Sequence, residues 1–178
     1  MKILALLFDG FEEVEAISPI AFLRRAGLDV TCVSNRTDVI GAHYIHLTDL
    51  TLINEVAYQD YDALLIPGGP HYRFIENFGY ALNIIQYFMK ENRVVCAICA
   101  APTILGKLNL LVNRKYTCFT CMNEEFGGTY IDKSVVVDEN LITARSAAAS
   151  IDFAYEIIRK LQGEAALEAL QKRIYYEK

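Results

Sequence analysis

Short apolar runs rich in β-branched residues alternate along this chain with longer amphipathic ones, and few folds accommodate that alternation. Consecutive parallel strands need a crossover between them, most often a helix, so the pattern predicts βαβ units around a largely parallel sheet. The strand candidates are residues 2–8, 29–34, 62–66, 93–98 and 141–144. They lack polar alternation for the most part, as strands covered on both faces should. Residues 135–137 are expected to pair with the last of these as a hairpin through Asp138-Glu139-Asn140. Helical spacing marks residues 13–26 closing on Gly27, 71–91, 102–108, 147–161 closing on Gly163, and 164–173. Pro19 predicts a kink or a late start in the first helix. Residues 35–60 are the least regular stretch, and a small β-hairpin through Ile40-Gly41 is the expectation there. The fold class is α/β.

The 178 residues are enough for one full core, and a single domain over 1–178 is expected. The chain is 53% hydrophobic and 22% charged with no low-complexity tract or internal repeat, which is far from the composition of disordered chains. A net charge of -5 argues against a nucleic-acid partner, because Arg24-Arg25 and Arg114-Lys115 are too short to form a phosphate-neutralising surface. The apolar run at residues 3–8 gives way at once to Asp9-Gly10-Phe11-Glu12-Glu13, shorter than an export signal or a membrane span. No membrane contact and a cytoplasmic location are therefore expected. In a reducing compartment Cys32, Cys96, Cys99, Cys118 and Cys121 read as free thiols, metal ligands or catalytic groups rather than staples.

The strand at 93–98 runs directly into Cys99 and then Ala100-Ala101-Pro102, where proline suits the first turn of a helix. This is the pattern of a nucleophile elbow, a strained turn whose crowding calls for small residues two positions either side, here Ala97 and Ala101. A thiol at a helix N-terminus meets free N–H groups and the positive end of the dipole, which predicts a lowered pKa. From the elbow alone Cys99 is either a nucleophile or a small core hydrophobe. A second loop, Ile66-Pro67-Gly68-Gly69-Pro70, follows another strand and lets backbone N–H groups approach a ligand, or is an ordinary turn. A third, Asp9-Gly10-Phe11-Glu12-Glu13-Val14-Glu15, carries three glutamates that cap a helix or supply an acid. All three lie at carboxyl ends of strands, where open α/β sheets bind ligands. A glutamate buried beside Cys99 would hold its proton and hydrogen-bond the sulfur.

Cys96-x-x-Cys99 and Cys118-x-x-Cys121 also match a zinc-site spacing. Against it, Cys96 lies inside a strand and not on a Gly-rich knuckle, so no metal is expected. Cys99 paired with Cys118 or Cys121 as a redox couple fits better.

These residues resemble the ThiJ/PfpI family, the deglycase-like group within the class I glutamine amidotransferase-like superfamily. The matching pieces are Phe8-Asp9-Gly10-Phe11-Glu12-Glu13-Val14-Glu15, Arg24-Arg25-Ala26-Gly27, Leu65-Ile66-Pro67-Gly68-Gly69, Ala97-Ile98-Cys99-Ala100-Ala101-Pro102 and Tyr116-Thr117-Cys118-Phe119, collinear over nearly the whole chain. The resemblance implies a flavodoxin-like three-layer sandwich, a homodimer and no cofactor. It implies Cys99 as nucleophile, Glu15 as the glutamate that hydrogen-bonds it, and the N–H groups of Gly69 and Ala100 as oxyanion donors. The chain departs from the family in three places. Ala100 stands where protease-like members have histidine after the cysteine, none of His43, His46 and His71 falls at a pocket-histidine position, and Ser146-Ala147-Ala148-Ala149 replaces a Gly-Pro-Gly segment. Proteolysis therefore loses its base. Two readings follow: chemistry on a small reactive carbonyl through Cys99 and Glu15, or redox sensing through oxidation of Cys99.

Overall fold

A computed structural model describes residues 1–176 of the chain. The elements in chain order are β1 (Lys2–Leu6), α1 (Glu13–Arg25), β2 (Asp29–Ser34), β3 (Val39–Ile40), β4 (His46–Leu47), β5 (Thr51–Leu52), β6 (Ala63–Ile66), α2 (Tyr72–Ile75), α3 (Gly79–Lys90), β7 (Val94–Ile98), α4 (Ala101–Lys107), β8 (Lys115–Tyr116), β9 (Thr129–Tyr130), β10 (Val135–Asp138), β11 (Leu141–Ala144), α5 (Ser150–Gln162) and α6 (Glu164–Arg173). The main sheet has seven strands in the order β10-β11-β7-β6-β1-β2-β5. Every neighbouring pair is parallel except β10 with β11, which form the expected hairpin in the register Val135↔Ala144 to Asp138↔Leu141.

Alternation along each strand divides the core into two layers. Ile3, Ala5 and Leu7 of the first strand segment, with Leu65, Cys96 and Ile98, pack against Ala16, Ile20 and Leu23 of α1 and Phe153, Ile157 and Ile158 of α5. Leu4, Leu6 and Phe8, with Leu64, Ile66, Val95 and Ala97, pack on the opposite face against Ile84, Ile85 and Phe88 of α3 and Ile104 and Leu105 of α4. The result is the three-layer flavodoxin-like sandwich. Among the described residues no helix is long and apolar enough to cross a membrane.

The structure corrects several expectations. Helix α1 starts at Glu13 and runs unbroken through Pro19, whose ring is buried against the core. Proline costs that helix only the bond to the Glu15 carbonyl, one turn earlier, and the apolar face of α1 outweighs the loss. The helix expected over 71–91 is two helices, because Phe78 adopts an extended backbone before Gly79 and turns its ring onto Phe8 and Phe74. Residues 147–149 form a 3-10 turn before α5 and not its first turn. The irregular stretch does contain the hairpin, β3 with β4 in the register Val39↔Leu47, but it also contributes β5 to the edge of the main sheet. The short parallel pair β8 and β9 had no signal in the sequence.

Candidate active site

Strand order reverses at β1, with β2 on one side and β6 on the other, so a crevice opens at the carboxyl ends of β1, β6 and β7. The three candidate loops meet there. Glu12 N–H donates to the Gly68 carbonyl at 2.8 Å and His71 N–H donates to the Gly10 carbonyl at 3.1 Å, tying the loop after β1 to the loop after β6. Gly69 has φ +96°, and a Cβ there would fall 2.4 Å from Glu12 N and 2.5 Å from the Gly10 carbonyl oxygen. Glycine is required for that close approach.

Cys99 has φ +64°, the left-handed conformation that a cysteine adopts only under constraint. Its N–H donates to the Ala144 carbonyl at 2.9 Å and its carbonyl accepts from Phe119 N–H at 2.8 Å, so β11 and the segment after β8 hold the turn from both sides. Ala97 and Ala101 are fully buried on either side, as the elbow demands. The Ala100 N–H approaches the sulfur and favours its thiolate.

Glu15 lies on the first turn of α1 and is 1% exposed. A Cβ on Gly68 would fall 2.2 Å from Glu15 Oε2 and 2.7 Å from Cys99 Cβ, so carboxyl and thiol press on the same point and only glycine fits between them. Glu15 Oε2 makes no conventionally formed hydrogen bond. The Cys99 thiol and the N–H groups of Gly68 and Ala147 nonetheless lie close enough to bias the carboxyl toward its charged form. Burial outweighs them, with the Glu12 carboxylate adding to it, and pushes Glu15 up to about 7. Burial and the neighbouring Glu15 also push the Cys99 thiol up, against the fall expected from the helix N-terminus. That expectation took α4 as the dominant field, but α4 has only seven residues, and burial together with the neighbouring Glu15 carboxyl outweighs it. Ionising both groups at once is what costs most. With Glu15 protonated, that repulsion is absent and its O–H becomes a donor for the thiolate.

The other two glutamates have different duties. Glu12 caps α1, accepting from Glu15 N–H at 2.7 Å. Glu13 accepts from His43 N–H at 2.6 Å and pairs with His43 Nδ1 at 2.8 Å, fixing the loop between β3 and β4. His71 carries no local sequence signal for a place in this site. It is buried under the Gly68-Gly69 loop, where Nε2 donates to the Pro67 carbonyl at 2.8 Å and Nδ1 accepts from Phe8 N–H at 3.3 Å. Burial pushes it down to about 4, so it is neutral at pH 7.

The cysteine constellation does not gather. Cys96 packs in the α1/α5 layer and Cys118 in the α3/α4 layer, on opposite faces of the sheet, while Cys121 is exposed. The four sulfurs of the zinc-like spacing therefore do not converge. All five cysteines are free. Two clefts lie away from Cys99, one of about 520 Å³ beside Arg145 and Arg159 and one of about 280 Å³ over Cys32. Glu15 and Cys99 both close on Gly68.

Comparison with known proteins gives a consistent result. The sequence model of the DJ-1/PfpI family matches residues 1–160. The chain is 33% identical over 169 residues to an uncharacterized protein of Staphylococcus epidermidis, covering 90% of this chain and 98% of that one. A Staphylococcus aureus protein, also uncharacterized, is 33% identical over 168 residues with the same coverage. Among solved structures, Drosophila melanogaster DJ-1beta superposes with a TM-score of 0.90 at 28% identity, covering 99% of this chain and 98% of that one. The DJ-1 superfamily protein STM1931 from Salmonella typhimurium gives 0.88 at 29% identity, covering 99% of each chain.

Proposed function

The chain belongs to the DJ-1/PfpI family, and from that premise we propose that it is a cysteine-dependent enzyme acting on small reactive carbonyls, with Cys99 and Glu15 as its catalytic residues. The observation that carries this reading is a carboxyl pushed up to about 7 and packed against the thiol across Gly68. Such a carboxyl exchanges its proton near neutral pH, which is where a general acid-base is most effective.

For an α-oxoaldehyde, the ionised Glu15 takes the Cys99 proton as the sulfur adds to the aldehyde carbon and forms a C–S bond, then returns that proton to the oxyanion, giving a hemithioacetal. The N–H groups of Gly69 and Ala100 serve as donors to the developing oxyanion. Glu15 carries the proton from that carbon to the neighbouring one, leaving a thioester that water cleaves to a 2-hydroxy acid and the free thiol. The sequence is redox-neutral and uses neither histidine nor metal. A glycated amine adduct enters at the same carbon, with the amine as leaving group.

The working form is taken to be a homodimer. Val14 and Ile17 flank Glu15 on α1, and Tyr44 and Ile45 cap the adjacent hairpin, all exposed. A second copy on that face would wall the crevice. Light scattering of wild type against Ile17→Asp tests this, a monomeric wild type being the contrary result.

The decisive assay is consumption of methylglyoxal by wild type and by Cys99→Ser. Loss of about a thousandfold or more in Cys99→Ser supports the enzyme. Equal rates, or an inert wild type, overturn it. A second reading draws on Glu15 Oε2, which makes no conventional hydrogen bond: a protonated carboxyl donates to a sulfinate oxygen after peroxide oxidises Cys99. Peptide mass spectrometry after mild peroxide tests it, and oxidation of other thiols before Cys99 is the contrary result.

A further inference from the structure

We propose that His71 is a positioning residue for the Glu15–Cys99 pair: by holding the Pro67 carbonyl it fixes the Pro67–Gly68 amide, whose N–H faces Glu15. This rests on the reading of Glu15 and Cys99 as the reacting pair.

The geometry begins with the ring. His71 is 1% exposed and both of its nitrogens are used, Nε2–H on the Pro67 carbonyl at 2.8 Å and Nδ1 accepting from Phe8 N–H at 3.3 Å. A neutral imidazole has one donor and one acceptor, so this arrangement fixes a single tautomer. The His71 backbone N–H adds a bond to the Gly10 carbonyl at 3.1 Å. One residue thus clasps the end of β1, the loop after it and the loop after β6.

The peptide link transmits that clasp. No cis bond occurs among the described residues, and the C=O and N–H of a trans peptide point in opposite directions. The ring lies beside Phe8, whose side chain belongs to the layer of α3 and α4. Holding the Pro67 oxygen from there turns the Gly68 N–H toward the other side, where α1 presents Glu15. Glu15 Oε2 lies 2.2 Å from where a Gly68 Cβ would stand, so little slack separates amide and carboxyl. The titratable groups facing the Glu15 carboxyl are the Cys99 thiol and the Glu12 carboxylate, and neither side chain bonds to His71. The pinned amide is the favourable partner that His71 controls. Lysine or arginine at position 71 would bring a charge into this buried site, whereas a neutral imidazole supplies donor and acceptor without one.

The test compares His71→Leu, which fills the space without a donor, with His71→Gln, whose amide N–H can still reach the Pro67 carbonyl. The readout is the titration midpoint of the Glu15 carboxyl by difference infrared spectroscopy, the band assigned by its loss in Glu15→Gln. The expected result is a rise of about one pH unit in His71→Leu, a tenfold gain in proton affinity from the unpinned amide, with His71→Gln close to wild type. A folded His71→Leu that titrates like wild type overturns the proposal, as does a glutamine variant shifted as far as leucine. If His71→Leu does not fold, the wild type decides it. Acid titration of the His71 ring, followed by nuclear magnetic resonance, should move the Gly68 amide resonance with the same midpoint, and an amide indifferent to the ring overturns the proposal. An inert wild type in the methylglyoxal assay sinks the carbonyl reading but leaves the infrared result standing.

Discussion

Glu13 and Glu15 stand two residues apart on the first turn of α1, one facing the β3–β4 hairpin and the other facing Cys99, and both are buried, at 5% and 1% exposure. Their acidities move in opposite directions. Burial alone would raise Glu13, but the His43 ring and the N–H groups of His43 and Ile45 all donate to it and hold it below the usual carboxylate range. Glu15 has weaker donors and a thiol beside it, and burial pushes it up to about 7. Low solvent exposure by itself is therefore a poor guide to charge. What decides is desolvation set against the donors the fold brings: donors win on the hairpin side, and desolvation wins on the cysteine side.

The sharpest way to break this contrast is Glu15→Gln, which removes the exchangeable proton without changing shape. Methylglyoxal consumption is expected to fall by about 10² to 10⁴-fold, and the loss of a neutral-pH limb from the rate profile identifies the group. Stability should move the other way. Because Glu15 titrates higher in the folded chain than in the unfolded one, its contribution is fully present below pH 4.5 and lost as the pH rises toward about 7. Urea unfolding at pH 8 should then find Glu15→Gln more stable than wild type, by up to roughly 3 kcal/mol. A variant no more stable than wild type at pH 8 would mean that folding does not raise the Glu15 carboxyl.

Gly68→Ala attacks the shared wall. Its Cβ would collide with Glu15 Oε2 and Cys99 Cβ and sit 2.9 Å from the Ile98 carbonyl oxygen, so a loss of about 1–3 kcal/mol is expected, with slowed alkylation of Cys99 by iodoacetamide. Unchanged Cys99 alkylation in a folded variant would show that the two groups are not in contact.

Glu13→Gln probes the other side and should cost about 1 kcal/mol at pH 7. The sign is opposite to that of Glu15. A carboxyl lowered by folding contributes stability above pH 4.5 that is lost as the pH falls through its folded value, so wild type and variant should converge in acid. Proton magnetic resonance should also find the His43 midpoint, raised in wild type by its bond to Glu13, returned toward the ordinary imidazole range. A His43 midpoint unmoved by the substitution would remove the pair from the account.

The layered fold was readable because its cause is local and periodic. Strands such as Val94–Ile98 carry apolar residues on both faces, and helices such as α5 carry an apolar stripe, so pattern alone places them in a covered sheet. Cys99 was readable because the elbow needs small neighbours in fixed positions. The break at Phe78 was not, since it depends on where Phe8 and Phe74 lie in the assembled core. Nothing adjacent in the sequence marks His71; its partners Phe8 and Pro67 come from two different strand ends. Residue type and spacing also leave Glu12, Glu13 and Glu15 equivalent as first-turn acids; the family resemblance points to Glu15, and the positions of Gly68, His43 and Cys99 around the three separate their environments.

By itself, then, the chain determined an α/β sandwich with a strained cysteine at a strand end, because backbone periodicity and steric crowding act over a few residues. The tertiary structure alone decided which carboxyl keeps its proton, that Cys96 and Cys118 stay on opposite faces, and that a neutral histidine braces the glycine loop. Those outcomes turn on desolvation and hydrogen-bond donors delivered from distant parts of the chain, and both exist only once the loops have met.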